Sequence, residues 1–477
     1  MRLLEENVAD IPTIEEASKR AFKIGMGPFQ LMNVTGIPIA VHAATTLGNE
    51  LGPFYAPCRT LKEQMEKKEN WPLDGAVDET RVQAVIDRML GVCLGVSAAL
   101  VDEGVASIED TDRGAKIGLR WLMGPFEIMN RIGIGRTYDV VKAITEKYAD
   151  FKMPSLLEKQ KNLGKPFDVR FVDMEVKDGV ATITLNRPEA MNALNETVVA
   201  QLDQQFTEAE KRDDVRAIVF QGAGKAFVAG ADIRYFVNNI KANRIPDIVA
   251  FTRKGHELFL RIENSPKLTI ALLDGLSLGG GSELALSCQA IVATPAGSMA
   301  FPETGIGIYP GLGGMLRMTR HVGPELAKYY VFTGFGINMA DARALGIVTT
   351  VVDPAGVNQA IRDIMAAGKP DKYRSRTLPE KFLPMAAMFS SENVTRLLFG
   401  KQPDAPADLA AKVIKTLGFK APIALRVSNE IIDQQIGKSM KDAVEIELGR
   451  LAEIFSTADA LEGLSTAGRK RPEFKGA

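Results

Sequence analysis

An internal duplication constrains this chain more than any other feature. Met26-Gly-Pro-Phe-Gln-Leu-Met-Asn33 returns 97 positions later as Met123-Gly-Pro-Phe-Glu-Ile-Met-Asn130. The same offset pairs Leu3 with Leu100, Glu6 with Glu103, Val8 with Val105, Ala9 with Ala106, Ile11 with Ile108 and Gly36 with Gly133. A match of this length without a gap means one supersecondary unit used twice. Each copy predicts helix, short turn, helix, and then Met-Gly-Pro-Phe opening a further helix. Gly before Pro breaks one helix, and Pro in a first turn starts the next. The second copy is preceded by a long predicted helix, about Arg81 to Glu103, with Val82, Val85, Ile86, Met89, Leu90, Cys93, Leu94 and Leu100 at helical spacing. The first copy begins at Met1, inside the equivalent helix. Either the chain is cut there, or another polypeptide supplies what precedes it.

The segment Leu3 to Gly36 resembles the C-terminal helical domain of the 3-hydroxyacyl-CoA dehydrogenases, whose pattern is an acidic turn followed by Met-Gly-Pro-Phe. The resemblance implies an all-α N-terminal domain over residues 1–165. In that family an NAD-binding Rossmann domain comes first, and no strand followed by GxGxxG opens this sequence. The structural reading is that these helices only pack and dimerise. The functional reading is that they dock a separate NAD-binding Rossmann-domain polypeptide. From Tyr148 to Arg170 the periodicity weakens, which reads as a linker with a boundary near residue 166.

The second domain, 166–477, begins with an alternating stretch, Phe171 to Leu185, that turns at Asp178-Gly179 and reads as a β-hairpin. An amphipathic helix from Ala193 to Arg212 and buried strands at Val215–Gln221 and Leu268–Leu273 follow, an α/β pattern. Gly275 to Gly314 carries the candidate chemistry. Gly279, Gly280 and Gly281 precede a helix-like segment, Ser282 to Ala293. Glycines at a helix start let the backbone approach a ligand and aim free N–H groups at it, where the helix dipole favours negative charge. Glu283 lies one turn inside that segment and Glu303 follows 20 positions later. Two carboxyls beside such a site form an acid/base pair.

Charge and cysteine usage narrow the function classes. A net charge of −1 argues against nucleic acid or an anionic membrane as the main partner. Cys58, Cys93 and Cys288 are scattered without CxxC, so neither a zinc site nor a disulfide framework is expected. Cys93 and Cys288 read as buried thiols in a reducing compartment. The start lacks the apolar core of a signal peptide, and no run reaches about 18 apolar residues. These observations predict a soluble cytoplasmic protein. His256 and His321 stand alone and read as surface or capping residues, and no metal site is expected.

Four motifs in order resemble the signatures of the crotonase (enoyl-CoA hydratase) superfamily: Leu185-Asn-Arg-Pro-Glu-Ala-Met-Asn, Ala226-Phe-Val-Ala-Gly-Ala-Asp-Ile, Gly279-Gly-Gly-Ser-Glu-Leu-Ala-Leu and Phe301-Pro-Glu-Thr-Gly-Ile-Gly. The resemblance covers roughly 168–477. It implies a ββα spiral with a C-terminal helical trimerisation region, hence a homotrimer or a dimer of trimers. It implies an acyl-CoA substrate and no redox cofactor or metal. The amides of Ala231 and Gly280 are the implied oxyanion donors. Glu283 is implied to activate water and Glu303 to deliver the proton to Cα. Ala229, Asp232, Ile233 and Lys225 are the expected CoA contacts. Both glutamates point to hydration of a trans-2-enoyl-CoA. The alternatives are an enoyl-CoA isomerase, the hydratase half of a split hydratase/dehydrogenase, or a non-catalytic acyl-CoA-binding subunit. The inserted stretch Lys369 to Asp408, rich in Pro, Met and Phe, could alter the acyl pocket, and it leaves the chain-length preference open.

Overall fold

In the computed structural model, which describes every residue of the chain except Ser375, both Met-Gly-Pro-Phe motifs open helices for the same reason. The first unit, Met1–Arg170, contains α1 (Arg2–Glu5), α2 (Ile11–Phe22), α3 (Pro28–Thr35), α4 (Ile37–Leu51), α5 (Arg59–Lys67), α6 (Glu79–Asp102), α7 (Ile108–Gly118), α8 (Pro125–Ile132), α9 (Ile134–Lys147) and α10 (Ser155–Leu163). Proline starts α3 and α8 and leaves orphan N–H groups behind it. Glu15 on α2 accepts the N–H of Phe29 and, at 3.2 Å, that of Gln30. Asp112 on α7 does the same for Phe126 at 2.7 Å and Glu127 at 3.1 Å. A Cβ on Gly27 would lie 2.7 Å from Glu15 Cδ, and one on Gly124 would lie 2.5 Å from Asp112 Oδ1. The glycine of the motif is therefore what lets a buried carboxylate reach the helix start.

The repeat also runs further than the matched sequence. Asn33 clamps the backbone of Trp71 through two hydrogen bonds of 2.9 and 2.8 Å. Asn130 clamps Phe167 in the same way, at 2.8 and 2.6 Å. Gln64 donates to Glu69 O, and Gln160 to Lys165 O. Trp71 packs edge-on against Phe29, and Phe167 against Phe126. This corrects the linker reading of Tyr148 to Arg170. That stretch holds α10 and the buried Phe167, and it closes the second repeat. Arg170 N also donates to Glu109, so the unit ends at Arg170 rather than near residue 166. The long helix α6 reaches a mean hydropathy of 1.8 over 18 residues, enough by length and composition to cross a membrane. Its Val85, Leu90, Leu94 and Ala98 are buried in the helical core instead.

The second unit, Phe171–Ala477, opens with the predicted hairpin, β1 (Val172–Lys177) and β2 (Val180–Leu185). Asp178 and Gly179 both take positive φ at the turn, 52° and 80°, as a two-residue hairpin loop requires. After α11 (Glu196–Lys211) come β3 (Ala217–Gly222), β4 (Ala226–Ala229), α12 (Ile233–Lys241), α13 (Ile245–Asn264), β5 (Leu268–Leu273), β6 (Leu276–Leu278), α14 (Gly280–Ser287), β7 (Ala290–Ala293) and β8 (Ser298–Ala300). The order is a spiral. Each turn places one strand in a six-stranded sheet, β1-β2-β3-β5-β7-β10, and the next in a four-stranded sheet, β4-β6-β8-β9. The outer members are β9 (Ile337–Asn338) and β10 (Thr350–Val351). The segment Ser282 to Ala293 is thus not one helix. Cys288 leaves α14 in extended conformation, and Gln289 donates to Glu263 O and Ser265 O. The β-branched Ile291 and Val292 then pair with β5 and β10.

Helices α15 (Gly314–Val322), α16 (Pro324–Thr333), α17 (Met339–Ala344) and α18 (Val357–Ala367) follow the spiral. The inserted stretch contains α19 (Leu383–Met388) and α20 (Ser391–Leu398), and it buries Phe382, Met388, Phe389 and Val394 in the main core. The chain ends with α21 (Ala407–Leu417), α22 (Pro422–Gln435), α23 (Met440–Gly449), α24 (Leu451–Phe455) and α25 (Ala458–Thr466).

Candidate active site

Three adjacent strands of the smaller sheet end level with one another. Ala229, Leu278 and Ala300 are in register across β4, β6 and β8. The chain continues from them into Gly230-Ala231, Gly279-Gly280 and Phe301-Pro302-Glu303. In-register parallel pairing therefore delivers two backbone amides and a carboxyl to one rim. Gly279 turns the chain with φ +45° and ψ −117°, a conformation only glycine takes without strain. A Cβ there would also stand 3.0 Å from Glu303 Cδ.

Gly280 opens α14, so its N–H has no intrahelical partner. A Cβ on it would lie 3.8 Å from the Gly230 carbonyl carbon, which puts it beside the Gly230–Ala231 peptide. On either side of Ala231 the backbone is paired: Leu194 N donates to Gly230 O at 2.9 Å and Asp232 N to Leu194 O at 2.7 Å. The N–H groups of Ala231 and Gly280 make no hydrogen bond among the described residues. Two neighbouring free donors, one at a helix start, suit a developing oxyanion.

Glu283 is 2% exposed. Its Oε1 accepts the N–H of Leu312 at 2.7 Å and that of Gly314 at 2.8 Å. Glu303 is 7% exposed, and its Oε2 has no partner among the described residues. Burial pushes Glu283 up to about 7, opposed by the two amides. Burial and then the charge of Glu283 hold Glu303 well above the usual carboxylate range. The pair titrates as a unit. Of the two, Glu283 carries the charge, because it receives two N–H donors and Glu303 has an oxygen with none. Glu283 is thus the first of the two to lose its proton, and Glu303 keeps its own to higher pH.

These groups line a cavity of about 200 Å³, together with Ala229, Gly230 and Ile233. Phe236, Phe251, Leu451, Phe455 and Leu464 give it an apolar wall, with Phe236 stacked on Phe455 at 5.1 Å between centroids. No described residue of 369–408 contributes to that lining. The wall comes instead from α12, α13, α24 and α25. Phe455 and Leu464 lie in the C-terminal tail that the resemblance also covers, Phe455-Ser-Thr-Ala-Asp and Glu462-Gly-Leu, whereas no motif includes Leu451. A larger groove of about 900 Å³, lined by Lys177, Arg216, Arg362 and Lys369 among others, contains none of the expected site residues.

Several expected residues sit elsewhere. Asp232 does not line the cavity. Its carboxylate is held by Arg187 and Arg234, each at 3.2 Å, and caps α12. Burial would raise its pKa, but the two guanidiniums outweigh that and lower it. Lys225 is exposed and outside the lining. His256 is not a surface residue: it is 1% exposed, and burial followed by the Arg317 charge pushes it down to about 3, so it stays neutral. His321 is half-buried and packs on Tyr373 with centroids 5.0 Å apart. Arg317, fully buried, pairs with Glu263 at 2.8 Å and not with either site glutamate. A third carboxyl, Glu447 on α23, is fully buried with both oxygens unpartnered among the described residues. Burial and then the charge of Glu283 hold it well above the usual carboxylate range. Sequence reading passed over it because a glutamate on an amphipathic helix reads as a solvated face. Among the described residues no cluster of His, Cys, Asp or Glu could hold a metal ion.

A ββα spiral that sets a buried carboxyl pair against two free amides at an apolar pocket defines an acid/base site facing an oxyanion pocket. Residues 180–474 match the enoyl-CoA hydratase/isomerase family, and residues 1–71 and 85–168 match the 3-hydroxyacyl-CoA dehydrogenase C-terminal domain. The chain belongs to the enoyl-CoA hydratase/isomerase family. It is 30% identical over 303 residues to the short-chain-enoyl-CoA hydratase of Clostridium acetobutylicum, covering 63% of this chain and 95% of the relative. It is 36% identical over 192 residues to the crotonyl-CoA hydratase of Syntrophomonas wolfei, covering 40% and 72%. Its structure is similar to that of an enoyl-CoA hydratase from Rhodobacter sphaeroides, with a TM-score of 0.55, 25% identity and coverage of 64% and 93%.

Proposed function

We propose that this chain is an enoyl-CoA hydratase that adds water, syn, to a trans-2-enoyl-CoA and gives a 3-hydroxyacyl-CoA. The observation that carries this reading is the meeting of two buried carboxyls, Glu283 and Glu303, with the free amides of Ala231 and Gly280 at one cavity. The thioester oxygen is received between the two N–H groups. Glu283 takes a proton from water as the water oxygen bonds to C3. The C2–C3 π electrons move toward the thioester, and the enolate oxygen is held by the two amides. Glu303 then gives its proton to C2. Each preorganised donor of this kind is worth about 3–4 kcal/mol, and positioned acid/base groups about 10²–10⁴-fold. The printed names of the relatives support hydration, as does the presence of both carboxyls at one cavity.

The test is the loss of conjugated-thioester absorbance when the full chain meets crotonyl-CoA. No turnover would sink the reading. A 3-enoyl-CoA substrate separates the isomerase alternative. The match of residues 1–168 favours a second reading, in which the chain is the hydratase half of a system completed by a separate NAD-binding polypeptide. Action as a homotrimer or dimer of trimers, in the cytoplasm, in acyl-CoA degradation without a cofactor of its own, is part of the proposal and rests on the family resemblance.

A further inference from the structure

The inserted stretch stays out of the cavity lining, yet its first residues reach the site from behind. Lys372 and Tyr373 both end on one carboxylate, Glu263 of α13. Lys372 Nζ lies 2.6 Å from Glu263 Oε1, and the Tyr373 hydroxyl donates to the same oxygen at 2.6 Å. The other oxygen, Oε2, accepts from Arg317 Nε at 3.1 Å and from Nη2 at 2.8 Å. Arg317 Nη1 in turn donates to Leu312 O at 3.1 Å. The N–H of that same Leu312, with that of Gly314, is what holds Glu283. A run of hydrogen bonds, continued through the Leu312 backbone, thus joins the insertion to the site carboxylate.

Lys372 has a second route to the same group. Its ammonium also donates to Leu286 O at 2.8 Å and Cys288 O at 3.2 Å, at the C-terminal end of α14. A cation there satisfies carbonyls that the helix leaves unpaired and complements its dipole. Glu283 and the free N–H of Gly280 belong to that helix.

The charges point the same way. The side chains of Arg317, Glu263 and Lys372 are 0%, 9% and 12% exposed, so they are poorly screened by solvent. Arg317 and Glu263 alone would cancel, and Lys372 leaves one net positive charge behind Glu283. Among the groups that face Glu283, Glu303 and Glu447 are acids that oppose its ionisation, and Arg317 is the cation that favours it.

We propose that Lys372 and Tyr373 are positioning residues for the hydration: they anchor Glu263, so that Arg317 fixes the 312–314 loop and a net positive charge stands behind Glu283. The inference rests on the hydratase reading. Neither residue lines the cavity, so the effect falls on kcat rather than on KM.

The experiment follows crotonyl-CoA hydration by the full chain from about pH 5 to 9, across the raised titration of Glu283. Lys372→Met is expected to lower kcat about tenfold, to leave KM within about twofold, and to move the acid limb up by at least about 0.5 pH unit. Lys372→Arg keeps the charge and is expected to recover most of both effects. Tyr373→Phe removes one hydrogen bond and no charge, so kcat should fall about threefold with the limb in place. It stays readable should Lys372→Met fail to fold. Asn393→Ala is the control for a merely structural role. Asn393 donates to Ala387 O and Asp404 O within the insertion and takes no part in the run to Glu283. It should lower the melting temperature and leave kcat and the limb unchanged. Carbon-13 NMR of chains labelled at glutamate Cδ, with Glu283 assigned through Glu283→Gln, should show its midpoint rising in Lys372→Met and returning in Lys372→Arg. An active parent whose kcat and midpoint do not move in Lys372→Met overturns this inference alone. A loss that Lys372→Arg does not recover, or that Asn393→Ala reproduces, overturns it too. An inactive parent overturns the hydratase reading, and an unmoved NMR midpoint would then overturn the link to Glu283 as well.

Discussion

Gly314 donates its backbone N–H to Glu283 Oε1 at 2.8 Å, and a Cβ at position 314 would lie 2.9 Å from the same oxygen. Helix α15 begins there, so the helix start fixes the carboxylate and leaves no room for a side chain. Gly314→Ala should therefore displace Glu283 without a backbone penalty, since alanine is the better helix former by about 1 kcal/mol. Crotonyl-CoA hydration is expected to fall by roughly 10–100-fold in kcat, as for a misplacement near 1 Å. Circular dichroism should show retained helix. Activity near that of the parent would mean that Glu283 tolerates the shift.

Gly279→Ala meets a different obstacle. The backbone there has φ +45°, and the new Cβ would press on Glu303. Strain of about 1–3 kcal/mol is expected from the backbone alone. Thermal melting should fall and activity should be lost together, in contrast with Gly314→Ala.

Glu283→Gln and Glu303→Gln are each expected to lower hydration by about 10²–10⁴-fold, and the double variant by much less than the product of the two, because the pair acts as one unit. Steady-state kinetics on crotonyl-CoA, with KM followed separately, checks this. Glutamine keeps the shape, so KM should change little.

The carboxyl pair also sets a pH dependence of stability. Glu283, held up to about 7 from an ordinary 4.5, binds more protons folded than unfolded, and Glu303 and Glu447 shift the same way. Their effect is to lower stability as pH rises from about 4.5 through the folded values. Glu283 alone accounts for roughly 3 kcal/mol across that window. Glu283→Gln should raise the melting temperature at pH 8 more than at pH 5. Equal shifts at both pH values would contradict the raised pKa.

Asn130→Ala removes the clamp on Phe167. The amide of Phe167 is expected to lose protection against hydrogen exchange by about 10–100-fold, equivalent to about 1–3 kcal/mol of a lost buried pair. The corresponding Asn33→Ala should do the same at Trp71.

The repeat shows where sequence reading stops. The copies were legible from Leu3 to Gly36 because helix starts and breaks depend on local residues, Gly-Pro above all. Beyond α4 the register slips by one, from 33/130 to 71/167, and tryptophan stands against phenylalanine. The shared clamp then depends on distant backbone, and no local pattern marks it. Hence Tyr148 to Arg170 read as a linker. The break between α14 and β7 was hidden for a similar reason. Leu284 to Ala293 is buried throughout, Ser287 and Gln289 included, and periodicity cannot divide a fully buried run.

The sequence by itself determined the two-unit plan, the hairpin, the glycine-marked loops and the two glutamates, since each rests on residue types at short range. Only the tertiary structure decided how those glutamates differ. Parallel register across β4, β6 and β8 brought Ala231, Gly280 and Glu303 to one rim, and the start of α15 placed two amides on Glu283. Burial raises both carboxyls, and the two N–H donors on Glu283 make it the first of the pair to ionise. That assignment is a property of three-dimensional neighbours, which no spacing along the chain encodes.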